Sequence, residues 1–219
     1  MEPDLFILEV AIPGNCGLLE GRLLYRSEDA ADTGVIICPP HPLLAGNLDN
    51  NVVQAVAGKL AASMPVLLFN YPAVGKSAKP RPELPLFEYW NGLDQQGDYG
   101  MITEEVKRVI QWSAGYFNRL HLVGYSFGAH MALTALPHQA LSYSAIAPPL
   151  AEYDFAMMRS FTMPIRTLMA EDDGLLTTSS ELPRQENISH TTIRNTNHFF
   201  LRREDEVAAL ITEFILSLR

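Results

Sequence analysis

Leu120-His121-Leu122-Val123-Gly124-Tyr125-Ser126-Phe127-Gly128-Ala129-His130-Met131-Ala132-Leu133 decides how the rest of the chain reads. A mostly apolar run comes first, then a serine with a glycine two positions away on either side, then helix-forming residues. The order is strand, sharp turn, helix. A serine on such a turn is lifted out of the backbone, while the flanking glycines let strand and helix pass close together. That placement suits a nucleophile, and acyl transfer is the chemistry it suggests.

Outward from this stretch, short apolar segments alternate with helical patterns, which points to a largely parallel sheet covered by helices. Val35-Ile36-Ile37-Cys38 and Val66-Leu67-Leu68-Phe69 are continuous apolar runs, as expected for strands buried on both faces. Leu5 to Ile12 and Leu18 to Tyr25 read as an antiparallel hairpin turning at Pro13-Gly14-Asn15. Val52, Val53, Val56, Ala57 and Leu60 repeat at helical spacing behind Asn50 or Asn51 as N-cap. Thr103 is expected to cap a helix running to about Tyr116. Ser142 to Ala147, Pro164 to Ala170 and, more weakly, Ile188 to Arg194 complete the strands. The chain closes on an amphipathic helix from Val207 to Leu218, opened by Glu204 and Asp205 near its positive end.

The 219 residues, 47% hydrophobic and 19% charged, suffice for one substantial core, and no repeat or composition shift marks a boundary. One domain over residues 1–219 is the expectation. A net charge of −9, from 16 basic and 25 acidic residues, argues against a nucleic-acid partner. No apolar stretch approaches the ~20 residues of a membrane span. Met1-Glu2-Pro3-Asp4 lacks a basic signal region, so a cytoplasmic protein is expected. Cys16 and Cys38 are too few for a disulfide framework, and no histidine spacing suggests a metal site. Gly75-Lys76-Ser77 follows a strand as phosphate-binding loops do. That motif, however, needs glycine where Asn70 stands, and Pro72 removes a donor.

A serine hydroxyl needs a base, normally a histidine oriented by a carboxylate. In a doubly wound sheet both partners lie on loops after later strands. Glu171-Asp172-Asp173-Gly174 follows one such strand, and Asn195-Thr196-Asn197-His198-Phe199-Phe200 follows the next. Serine, acid, histidine is the chain order of α/β-hydrolases rather than that of trypsin or subtilisin.

From Val35 onward the chain resembles the α/β-hydrolases, in particular the small bacterial members without a cap domain that are distantly similar to dienelactone hydrolases. The resemblance rests on Cys38-Pro39-Pro40-His41-Pro42-Leu43 with Gly46-Asn47-Leu48-Asp49-Asn50, on Asn70 to Ser77, on the elbow and on Asn197-His198-Phe199-Phe200. It implies about eight strands, an N-terminal antiparallel hairpin, helices on both faces and no large cap. It further implies Ser126 as nucleophile, His198 as general base and then acid, and Asp173 as the orienting carboxylate, with Asp172 as the neighbour that could replace it. The oxyanion donors would be the N–H of Phe127 and one from the loop after Cys38. Pro39, Pro40 and Pro42 have none to give, so Leu43 leads and His41 or Leu44 follow. His41, Tyr125 and Trp90 are candidates for lining the site.

The implied reaction is hydrolysis of a small carboxylic ester or thioester, with short to medium acyl group and no cofactor. An acyltransferase, a lyase or a non-catalytic binding module on the same fold are the alternatives. The chain departs from the family at Pro72-Ala73, where Arg-Gly is common, and in a longer stretch between Ser77 and Met101. Within it, residues 79–100 are rich in proline and aromatics, and are expected to form a small lid or wall, or a loop folded against the flank.

Overall fold

The computed structural model describes residues 4–26, 32–175 and 182–218. Its strands are β1 (Phe6–Gly14), β2 (Gly17–Tyr25), β3 (Thr33–Cys38), β4 (Val66–Phe69), β5 (Arg119–Tyr125), β6 (Ser142–Ile146), β7 (Ile165–Ala170) and β8 (Ile188–Ile193). They form one sheet in the order β1-β2-β4-β3-β5-β6-β7-β8. β1 and β2 are antiparallel to each other, and β2 runs antiparallel to β4. All remaining pairs are parallel.

Alternation along the central strands divides the core in two. Val35, Ile37, Val66, Leu68 and Val123 face α1 (Asn51–Leu60) and α5 (Glu204–Leu216). Ile36, Cys38, Leu67, Phe69 and Leu122 face the other layer, which contains α2 (Leu86–Gln96), α3 (Gly100–Ser113) and α4 (Phe127–Ala135). Because both faces are covered, these strands carry no polar alternation. The β-branched runs therefore located them.

Two expectations are corrected. The hairpin turns at Asn15-Cys16, one step later than read, because Pro13 and Gly14 stay in register opposite Leu18 and Gly17. Pro13 is tolerated there because β1 is an edge strand. The buried carboxylate of Glu105 accepts the Asn15 and Cys16 N–H groups and holds the turn. α3 starts at Gly100, and Thr103 does not cap it. The N–H of Gly100 donates to Asp98 Oδ1, whereas the Thr103 hydroxyl pairs with that of Thr134 on α4. Residues 79–100 contain a helix, α2, that begins straight after Pro85 and stops at Gly97 with φ 63°. α1 takes Asn50 as its cap, with Oδ1 accepting from Val52 and Val53.

The strand order places β3 between β4 and β5. The chain winds one way from β3 to β4 and the other way from β5 onward. The carboxyl ends of β3 and β5 are thus the switch point, where a crevice opens in sheets of this type.

Candidate active site

Ser126 stands at that switch point with φ 55° and ψ −122°, a conformation most residues avoid. The packing around the elbow enforces it. A Cβ on Gly124 would strike the backbone of Gly128 and Ala129, and one on Gly128 would strike the carbonyls of Cys38 and Pro39. Only glycine lets β5, α4 and the loop after β3 converge this closely. The Ser126 N–H is tied to the carbonyl of Ile146, which fixes the turn from the neighbouring strand.

His198 and Asp173 arrive from the loops after β8 and β7. Ser126 Oγ lies 2.7 Å from His198 Nε2, and His198 Nδ1 lies 2.8 Å from Asp173 Oδ2. An ionised carboxylate can only accept, so Nδ1 carries the proton and Nε2 is left to accept from the serine hydroxyl. The other oxygen, Asp173 Oδ1, accepts from the Leu175 N–H and locks the carboxylate plane. All three residues are nearly buried, at 3%, 5% and 7% exposure for Ser126, His198 and Asp173. Asp172 is exposed, and its N–H is used to join the two loops through the carbonyl of Thr196. Of the two adjacent aspartates, Asp173 is the one brought to the histidine.

The loop after β3 meets the elbow, with the carbonyls of Cys38 and Pro39 against Gly128. Phe127 is the first residue of α4, a position whose N–H has no acceptor within the helix. Leu43 sits in a short 3₁₀ turn, Pro42–Leu44, and its N–H donates to His41 Nδ1 at 3.3 Å. The Leu44 N–H is taken by the carbonyl of His41 at 2.8 Å. Of these backbone N–H groups, that of Phe127 has no acceptor within its helix and that of Leu43 is weakly held.

A cleft of about 640 Å³ opens over Ser126 and is bounded by His41, Leu43, Asp94, Tyr99, Phe127, Tyr153 and Leu175 among others. Two side chains expected to line it are set back. Tyr125 ends β5 and points to the opposite layer, between Val123 and Phe200 in the α1/α5 core. There its hydroxyl donates to the carbonyl of His198 at 2.8 Å and braces that loop. Burial pushes its ionisation upward, so it stays a neutral donor. Trp90 is fully buried behind His41, its indole N–H donating to the carbonyl of Pro72. His41 does line the cleft. His130 stacks on Tyr153 at 4.4 Å, and burial pushes its pKa down, partly opposed by Asp154.

Asp94, Tyr99 and Tyr153 were not singled out from sequence. The first two belong to the stretch that departs from the family pattern, so no motif flagged them. Among the described residues no cluster of three His, Cys, Asp or Glu is placed to hold a metal, and no helix is long and apolar enough to cross a membrane.

No family model matches the chain. An uncharacterized protein of Rickettsia prowazekii is 24% identical over 226 residues, covering 96% of this chain and 90% of that one. An α/β serine hydrolase without lid from Xanthomonas campestris superposes with a TM-score of 0.75 at 22% identity, covering 94% of this chain and 92% of the other. The esterase Pf2001 of Pyrococcus furiosus superposes at 0.71 with 14% identity, covering 97% and 93%. With its eight-stranded sheet, antiparallel first hairpin and elbow at the switch point, the chain has the α/β-hydrolase fold, without a large cap domain among the described residues.

Proposed function

We propose that the chain is a serine hydrolase acting on a small carboxylic ester or thioester, through an acyl-enzyme on Ser126. The observation that carries this reading is the unbroken relay from Ser126 Oγ through His198 to Asp173, at 2.7 and 2.8 Å, mounted on a strained elbow. A surface histidine would not be buried with both ring nitrogens engaged, and a strained serine is rarely maintained without use.

In this reading His198 Nε2 takes the hydroxyl proton as Ser126 Oγ attacks the carbonyl carbon. Asp173 holds the imidazole in the required tautomer and stabilises the imidazolium that forms. The oxygen of the tetrahedral intermediate gains its negative charge beside the N–H groups of Phe127 and Leu43. Fixed donors of this kind are worth about 10²–10³ each in rate. Collapse expels the alcohol or thiol, which leaves with the proton held by His198. Water then attacks the acyl-enzyme by the same path and releases the acid and free Ser126. No cofactor enters either half. The cleft of about 640 Å³, with no large cap among the described residues, fits a short to medium acyl group better than a long chain.

A panel of p-nitrophenyl esters graded from acetyl to decanoyl tests the reading. Turnover is expected to peak at four to eight carbons, roughly, with a burst of p-nitrophenol matching the enzyme concentration where deacylation is slow. Folded protein without turnover on any ester or thioester would overturn it. Release of acyl-alcohol products with added alcohols, at the expense of free acid, would instead assign an acyltransferase.

A further inference from the structure

A second histidine–aspartate couple lines the same cleft as Ser126. His41 Nε2 lies 3.0 Å from Asp94 Oδ1, and His41 Nδ1 receives the Leu43 N–H at 3.3 Å. The protonation follows from the partners. A backbone N–H can only donate, so Nδ1 is bare, and the ring proton sits on Nε2 and points at the carboxylate. Asp94 Oδ1 also accepts from the Tyr99 hydroxyl at 2.8 Å. His41 and Tyr99 both meet the Phe127 ring edge-on, with centroids 5.0 and 4.9 Å away, and Trp90 backs His41 at 5.3 Å. One carboxylate of α2 therefore grips two side chains that bear on both oxyanion-donor residues.

We propose that Asp94 is a positioning residue for the reaction: through His41 it sets the direction of the Leu43 N–H, the second oxyanion donor. The inference rests on the serine-hydrolase reading. Its physical content is the tautomer. With the carboxylate gone, the ring proton is free to move to Nδ1. It would then face the Leu43 N–H donor to donor, and the 3₁₀ turn would swing away. With the carboxylate present, Nδ1 keeps a long, weak hold on that N–H, which an arriving oxyanion, a stronger acceptor, can share. The segment 79–100 acts in this account as a fixed wall. Tyr89 and Trp90 anchor α2 in the core while Asp94 reaches the cleft.

The test compares wild type, Asp94→Ala and Asp94→Asn on p-nitrophenyl butyrate, together with the affinity of butylboronic acid, whose serine adduct places an oxygen in the hole. Asn keeps an oxygen that accepts from Nε2–H, and Ala keeps none. Asp94→Ala is expected to lower kcat about tenfold or more, less than outright loss of a donor. KM should stay within about twofold, and boronate affinity should fall by the factor seen in kcat. Asp94→Asn should stay within about threefold of wild type. Asp94→Ala as active as wild type would overturn the proposal. So would equal losses in both variants, or a loss confined to KM. Wild type that neither turns over the ester nor reacts with a fluorophosphonate would instead bring down the hydrolase reading, and a wild type that reacts while Asp94→Ala is undiminished would bring down the positioning role alone.

Discussion

One histidine–aspartate couple touches Ser126 and a second lines the cleft above it, and they differ in what they hold. His198 and Asp173 join through 2.8 Å, are almost wholly buried, and present a bare Nε2 to a side-chain hydroxyl. His41 and Asp94 join through 3.0 Å at the cleft edge, with the aspartate side chain 35% exposed, and present a bare Nδ1 to a backbone N–H. The same chemical device, a carboxylate selecting one tautomer of a neutral imidazole, points in one case at a proton that must move. In the other it points at a donor that must stay in place. One couple should therefore be indispensable and the other graded in its effect. In the proposed mechanism the proton passes through His198 alone, whereas an oxyanion that lost part of one donor would still have Phe127.

Breaking the first couple should produce the larger effect. Asp173→Asn keeps its oxygen on the Leu175 N–H, so the amide NH2 faces His198 Nδ1 and reverses the tautomer, whereas at Asp94 one oxygen takes both Tyr99 and His41. The expected loss is about 10³–10⁴ in kcat on p-nitrophenyl butyrate, with folding unchanged by circular dichroism. A loss under tenfold would mean that Asp173 is not the orienting carboxylate. A smaller break comes from behind the couple, with Tyr125→Phe, which removes the hydroxyl that braces the His198 carbonyl. Stability should fall by about 1 kcal/mol, from the buried acceptor left unpaired, and kcat by a few-fold. Chemical denaturation and steady-state rates check both numbers, and an unchanged midpoint would contradict the bracing role. The smallest effect belongs to Asp172→Asn. Its carboxylate is exposed, and only its backbone reaches Thr196. Rates should stay within about twofold, because an exposed carboxylate is worth little. A loss comparable to that at Asp173 would show the assignment reversed.

The first couple was legible in the sequence and the second was not, for reasons that lie in particular residues. Ser126, the acidic pair and His198 follow three strands in order, and strands buried on both faces announce themselves as runs such as Val35 to Cys38. The choice between Asp172 and Asp173 depends on which side chain turns inward, which only the loop geometry decides. Asp94 lies on a helix that Pro80, Pro82 and Pro85 disguise as a loop. Tyr89, Trp90 and Leu93 do recur at helical spacing there. Even so, helical spacing would not have aimed Asp94 at His41. Tyr125 was misplaced for a simpler reason. Successive side chains of a strand alternate faces, and the elbow breaks that alternation at Ser126, so adjacency to the serine does not carry Tyr125 into the cleft. Pro13 stayed in β1 because an edge strand can spare a donor, which a turn reading of Pro-Gly could not anticipate.

The central claim is that Ser126 is a nucleophile held ready by His198. The most direct measurement is active-site labelling with a fluorophosphonate, read by intact mass and peptide mapping. Wild type should carry one adduct per chain on Ser126 and Ser126→Ala none, and His198→Ala should label at a rate lower by at least about 10³. Folded wild type that takes up no label, or label mapped to a residue other than Ser126, would contradict it.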